Sequence, residues 1–136
     1  MRRFSEFPGM PVLLSDGKSA GQVEEGVYTS GAPCLDGLVI RRSGLRGHAF
    51  VALQDIALLG AHAIILSPYV CLQKPPRVTT SAMRAFASDG QEMGKITDML
   101  IDGRTGTIQG FELSRGIWED LRVGREMLWV NDQKRR

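Results

Sequence analysis

Cysteine is scarce in this chain: Cys34 and Cys71 are the only two in 136 residues, far apart and without a CxxC pair. That argues against a disulfide-stapled framework and a zinc site of ordinary spacing. Two buried free thiols in a reducing compartment are the expectation. Histidine is equally sparse. His48 and His62 have no Ser, Cys or second His at useful spacing, so each reads as a solvent-facing or satisfied side chain and not as part of a triad. No apolar run approaches the roughly 20 residues that cross a bilayer, and Met1-Arg2-Arg3-Phe4 opens without the apolar core of a secretory leader. Direct membrane insertion is therefore not expected, and the cytoplasm is. A strong charge of one sign is missing too. The net charge of +2 comes from Arg2, Arg3, Lys134, Arg135 and Arg136 at the two ends, and the rest is slightly acidic. A nucleic-acid binder neutralises several phosphates with a basic stripe on its body. Nucleic acid is thus not the expected partner, and the terminal cations read as solvated charge.

Glycine is what the chain has in quantity, 16 residues against an aromatic content of 7%. Many tight turns follow, which favours an all-β fold over a helical bundle. The glycines also disclose an internal repeat. Ser15-Asp16-Gly17 with Gly21-Gln22-Val23 returns as Ser88-Asp89-Gly90 with Gly94-Lys95-Ile96, at an offset of 73 residues. Extended without gaps, Met10–Ile40 against Met83–Leu113 gives six identities, placed at turn glycines and apolar positions. The match resumes at an offset of 64, where Gly60 and Ala63-Ile64-Ile65-Leu66 face Gly124 and Met127-Leu128-Trp129-Val130. The extra residues of the first copy fall around Arg41–Phe50, read as a longer hairpin. Pro75-Pro76 excludes helix between the copies, so the units are 1–66 and 78–136, joined by a connector over 67–77. Tyr69, Val70 and Leu72 are too apolar for a free linker and are expected to lie against one unit.

Within each copy the apolar period is two, imperfectly kept, as in strands covered on both faces. Asp16-Gly17 and Asp89-Gly90 predict hairpins from a first strand, about 10–14 or 83–87, to a second beginning near Gly21 or Gly94. Asp102-Gly103 predicts another, with Gly103 at the positive φ that such turns demand. Glycine weakens a strand interior, so Gly21 and Gly94 read as bulge positions or sites of close backbone approach. Leu53, Ile56 and Leu59 carry helical spacing over one or two turns, read as a short helix or 3₁₀ turn before the last strand of each unit.

Ser88-Asp89-Gly90-Gln91-Glu92-Met93-Gly94-Lys95-Ile96-Thr97-Asp98, followed by Thr105-Gly106-Thr107-Ile108-Gln109-Gly110-Phe111-Glu112-Leu113, resembles the PRC-barrel superfamily. That superfamily includes the cytoplasmic domain of the photosynthetic reaction centre H subunit and the C-terminal barrel of the ribosome maturation factor. The resemblance runs over about residues 10–66 and 83–130. It implies two tandem small β-barrel units packed together, with no catalytic residues to carry over. Copy one departs from the pattern at Thr29-Ser30-Gly31-Ala32-Pro33-Cys34, where the usual acidic turn is replaced. What the family implies is a role in holding other proteins, on a membrane complex or a ribosomal one.

The leading function is therefore a non-enzymatic adaptor that docks on a protein partner, with a homodimer as a further option. An RNA- or ribosome-associated factor is the alternative, resting on Arg41, Arg42 and Arg46 in one hairpin and on the basic tail. The bland reading of those arginines is a charged edge strand. Trp118 and Trp129 are partner-binding candidates because tryptophan buries much area for few rotatable bonds, with core filling as the competing role. Glu24-Glu25 and Asp98 with Asp102 are carboxylate pairs, read as turn and edge charges before acid-base machinery. Gly17, Gly21, Gly90, Gly94 and Gly103 are structural positions. No cofactor or metal is expected, and a small enzyme is the third and weakest reading.

Overall fold

A computed structural model describes residues 2–29, 33–44, 46–77, 84–86, 89–116, 124 and 126–129. The described residues are all-β apart from 3₁₀ turns at Phe4–Glu6 and Leu53–Asp55. The strands are β1 (Arg2–Arg3), β2 (Pro11–Leu13), β3 (Ser19–Val27), β4 (Gly37–Arg42), β5 (His48–Ala52), β6 (Ile56–Leu59) and β7 (Ile64–Leu66) in the first half. In the second half they are β8 (Arg84–Phe86), β9 (Glu92–Ile101), β10 (Ile108–Ser114) and β11 (Glu126–Trp129). One sheet runs β5-β4-β3-β2-β7-β6; the other runs β1-β9-β10-β11, with β8 also on β9. Among the described residues no pairing closes either sheet into a ring.

The two halves share one ladder plan. Pro11, Val12 and Leu13 stand opposite Gln22, Gly21 and Ser19, and Arg84, Ala85 and Phe86 stand opposite Lys95, Gly94 and Glu92. Both sets skip one residue at the same place, and every pair of the second is the first advanced by 73. The next ladder behaves alike: Val23↔Ile40, Glu25↔Val39 and Gly26↔Leu38 correspond to Ile96↔Leu113, Asp98↔Glu112 and Met99↔Phe111. Glu24 and Thr97 are the skipped, bulged residues. A bulge resets which face the following side chains take, so Ile96 and Met99, three apart across the Thr97 bulge, both enter the core. Two-sided cover adds to the broken alternation, because Leu38, Val39 and Ile40 are buried in succession, as are Met99, Leu100 and Ile101.

The last strands depart from the offset-64 match. β7 lies parallel to β2, with Val12↔Ile64 and Leu13↔Ile65. β11 pairs instead with β10, where Phe111↔Leu128 takes the place of Leu38↔Val51 on β4 and β5. β11 thus stands where β5 stands, not where β7 does. The helical spacing at 53–59 yields a 3₁₀ turn of three residues only; from Ile56 the chain is extended and pairs with β7. The corresponding residues 118–121 lie outside the described residues.

A single apolar cluster joins the halves. Phe7, Val12, Ile40 and Ile64 belong to it from one side, and Met99, Ile101, Ile108 and Leu113 from the other. The connector lies partly on this core: Val70 and Leu72 pack against it and Gln73 bridges Phe50, N–H to carbonyl in both directions. Tyr69 departs from the expectation and is 91% exposed. Cys71 is exposed and Cys34 half-buried, so neither thiol is the buried one expected.

Candidate functional site

The chain's first residues cross to the far sheet. Arg2 and Arg3 pair with Ile101 and Leu100 of β9. The Arg2 guanidinium stacks 4.3 Å from the Phe7 ring centroid and donates to the Leu59 carbonyl at 3.1 Å. Its stem fills the space over Gly103, where an added Cβ would lie 2.4 Å from Arg2 Cδ. Arg3 Nη1 reaches Glu112 Oε2 at 2.5 Å and Asp98 Oδ2 at 3.5 Å. The hydrogen bond it donates to Glu112, then the charge of that carboxylate, holds the Arg3 guanidinium above its ordinary pKa. Ser5 adds two donors to Asp98, from its amide at 3.0 Å and its hydroxyl at 2.8 Å. Both cations are therefore parts of a structural clasp, Arg3 while still half exposed; Lys134, Arg135 and Arg136 lie outside the described residues. Sequence reasoning missed the clasp because its acceptors lie about a hundred residues away and carry no local signal.

Where the halves meet, equivalent residues meet each other. Cys34 bridges Thr107, its own counterpart at offset 73. Leu35 N–H donates to Gly106 at 3.1 Å, and Ile108 N–H to Pro33 at 2.9 Å; each of these bonds is the other with the halves exchanged. An approximate twofold axis therefore passes through the Cys34–Thr107 bridge. Tyr28 and Phe111 add a ring contact across it at 5.1 Å. Beside the contact a cavity of about 240 Å³ is lined by Glu24, Glu25 and Gly26 on one side and by their counterparts Thr97, Asp98 and Met99 on the other. The Glu24 carboxylate is also in contact with His48 Nε2.

The predicted basic hairpin exists. Arg41 and Arg42 end β4 and Arg46 lies in the loop to β5, closed by the bond from Arg42 N–H to the Gly47 carbonyl at 2.7 Å. Arg41 and Arg46 are exposed, and Arg42 is half-buried. Arg41 Nη2 donates to Gln22 at 3.1 Å. Trp129 ends β11 opposite Gly110, against which its ring packs, and it remains 37% exposed. Trp118 lies outside the described residues. Gly17 and Gly90 both have φ 88, while Gly21 and Gly94 have φ 144 and 145 and press against the carbonyls of Arg41 and Ser114. Gly103 differs from expectation: the positive φ of its loop falls on Gly106, and Gly103 serves by being small under Arg2. Asp102 anchors that loop by accepting from Arg104 N–H at 2.8 Å. That bond, reinforced by the Thr105 amide, holds its carboxyl below the ordinary carboxylate range.

Among the described residues no group of three or more His, Cys, Asp or Glu is arranged to hold a metal, and no helix is long and apolar enough to cross a membrane. Four large apolar side chains among the described residues are open to solvent. Leu58 is on β6 (56% exposed), Phe86 on β8 (61%) and Trp129 on β11 (37%), with Tyr69 on the connector. β6 and β11 end their sheets and β8 branches from β9, so three of the four sit on outer strands.

This arrangement is a pair of small β-sheet units built on one plan. The family model of the PRC-barrel domain matches residues 82–136, the part of the chain that carries β8 to β11. The second half is thus similar to that family, and the match covers one copy. No curated protein matches the chain.

Proposed function

We propose that this chain is a non-enzymatic protein-interaction module of the PRC-barrel type, made of two tandem copies of that unit, and that it docks onto a partner protein or complex in the cytoplasm. The observation that carries this reading is the placement of Leu58, Phe86 and Trp129 on outer strands. Soluble sheets ordinarily guard their edges with charge, proline or cover, and uncovered apolar edges mark surfaces that another chain completes. The two-copy reading is supported by the common register at offset 73 and by the bridge between Cys34 and Thr107. Charge use favours binding over chemistry: Arg3, Asp98 and Glu112 hold the amino-terminal arm in place, and Arg84 pairs with Glu92.

The test is a tagged chain expressed in its native organism, compared with the variant carrying Leu58→Ser, Phe86→Ser and Trp129→Ser. A partner should co-purify stoichiometrically with the first and be lost with the second while the far-ultraviolet circular dichroism stays unchanged. Undiminished retention by a folded triple variant would remove the outer strands from the reading.

A further inference from the structure

The two halves differ at one edge. β2 has strands on both sides, β3 and the parallel β7, and beneath β7 Val12 is fully buried. Its counterpart β8 keeps the same register on β9 but pairs with no second strand among the described residues. Ala85, at the place of Val12, is half-buried, and Phe86, at the place of half-buried Leu13, is 61% exposed. The segment that the sequence aligns with β7 is already taken up in β11, paired with β10.

We propose that the outer edge of β8 is a strand-acceptor site, which takes an extended segment of a partner protein parallel to β8 with the pattern acidic–apolar–any–apolar. The inference rests on the protein-interaction reading and specifies where and how a partner binds. β7 is the internal template. Ile64 and Leu66 are buried while Ile65 between them is partly exposed, so a segment in the same place presents its first and third strand residues to the core. Continuing the Val12↔Ile64 register backward sets the preceding residue beside Pro11 in the first half, and beside Arg84 in the second. Arg84 stands opposite Lys95, and its guanidinium holds Glu92 at 2.6 Å. These three groups leave one positive charge in excess, at a cleft of about 680 Å³ that they help to line. A carboxylate at that position gains a charge-assisted contact. Main-chain hydrogen bonds to the β8 edge supply affinity and the alternate apolar side chains supply selectivity, as in strand addition generally. A second copy does not fit equally well, because two β8 strands related by a twofold axis run antiparallel whereas the template is parallel.

The experiment uses the isotopically labelled full chain and the capped peptide Asp-Ile-Thr-Leu-Thr, followed by amide chemical shifts and hydrogen exchange. In the free chain the outward amide of the β8 edge should exchange rapidly. On titration, saturable shifts should appear at residues 84–86 and 92–95, and the exchange should slow at least tenfold. Replacing Asp by Lys in the peptide should weaken binding about tenfold, and Arg84→Glu should reverse that preference. Slow exchange in the free chain means that its own residues, such as 117–123, cover the edge, and overturns the proposal. So do shifts that map elsewhere, an unchanged preference in Arg84→Glu, or concentration-dependent self-association through β8 in place of peptide binding. A native partner retained through Leu58 or Trp129 alone, with no peptide binding, would sink the β8 site and leave the adaptor reading standing.

Discussion

A methyl group added at Gly21 would stand 2.0 Å from the carbonyl oxygen of Arg41 and 2.9 Å from its carbon. Both are backbone atoms of a paired strand, so neither can swing aside as a side-chain tip could. The φ of 144 at Gly21 adds a second cost, since a side chain held in that region loses about 1–3 kcal/mol. Overpacking against fixed atoms adds about 1–3 kcal/mol. Gly21→Ala should therefore destabilise by roughly 2–6 kcal/mol, a large share of the roughly 5–15 kcal/mol that holds a domain folded. For a chain of this size the melting temperature should fall by about 10–20 °C. Two sister substitutions separate the contributions. Gly17→Ala has φ 88 and nothing within 4 Å, so it reports the backbone cost alone, while Gly94→Ala has φ 145 and a carbonyl oxygen at 2.7 Å, a milder clash. The expected order of melting temperatures is Gly17→Ala highest, Gly94→Ala next and Gly21→Ala lowest, measured by circular dichroism and by urea midpoints. A Gly21→Ala protein that melts within a few degrees of the parent, or a Gly17→Ala protein that loses as much, would refute the close-approach reasoning.

Residues 1–74 expressed alone should melt without cooperativity, because the apolar cluster that buries Phe4 and Phe7 draws on Met99, Ile101 and Leu113; a sharp, reversible transition for that fragment would count against a shared core. Asp102 has a depressed carboxyl pKa, so its stabilising contribution is complete above the unfolded value of about 4 and is lost as pH falls through the lower folded value. The stability advantage of the parent over Asp102→Asn should accordingly be constant near neutrality and shrink on acidification below about pH 4, and an advantage that grows with acid would reverse the sign. For the RNA alternative, contacts by Arg41, Arg42 and Arg46 would give a log-log salt slope of about 0.7–0.9 per phosphate. We expect no such slope in bulk RNA binding; a steep one, flattened when all three become alanine, would reinstate the ribosomal reading.

Legibility in the sequence follows the range of the interaction. Asp16-Gly17 and Asp89-Gly90 announce hairpins because the turn's demand is met within four residues, and both hairpins are present. Gly21 and Gly94 are readable as pressed positions since a glycine in a strand asks for a reason, and the carbonyls of Arg41 and Ser114 supply it. The basic hairpin was equally local. The partner of the last strand was not: Met127–Val130 resembles Ala63–Leu66 in composition, yet an apolar strand fits more than one apolar edge, and β11 takes that of β10. The bulges at Glu24 and Thr97 leave only a slipped alternation, which two-sided burial also produces. Tyr69 shows the limit of composition, as an aromatic residue in an apolar connector is still turned to solvent.

The pairing of Arg2 and Arg3 with Ile101 and Leu100 also sets an order of events during synthesis. This strand has no partner in its sheet until β9 has emerged, so it waits, unpaired, through the making of β2 to β7. Long-range pairing of this kind slows folding, because the intervening chain must be ordered before the contact is rewarded. The first half can collapse around Val12, Ile40 and Ile64 as it appears, but its arm closes last, across a sheet that belongs to the other end of the chain. Closure of that arm is thus a completion mark: Arg3 meets Asp98 and Glu112 only in a molecule whose second half has already folded.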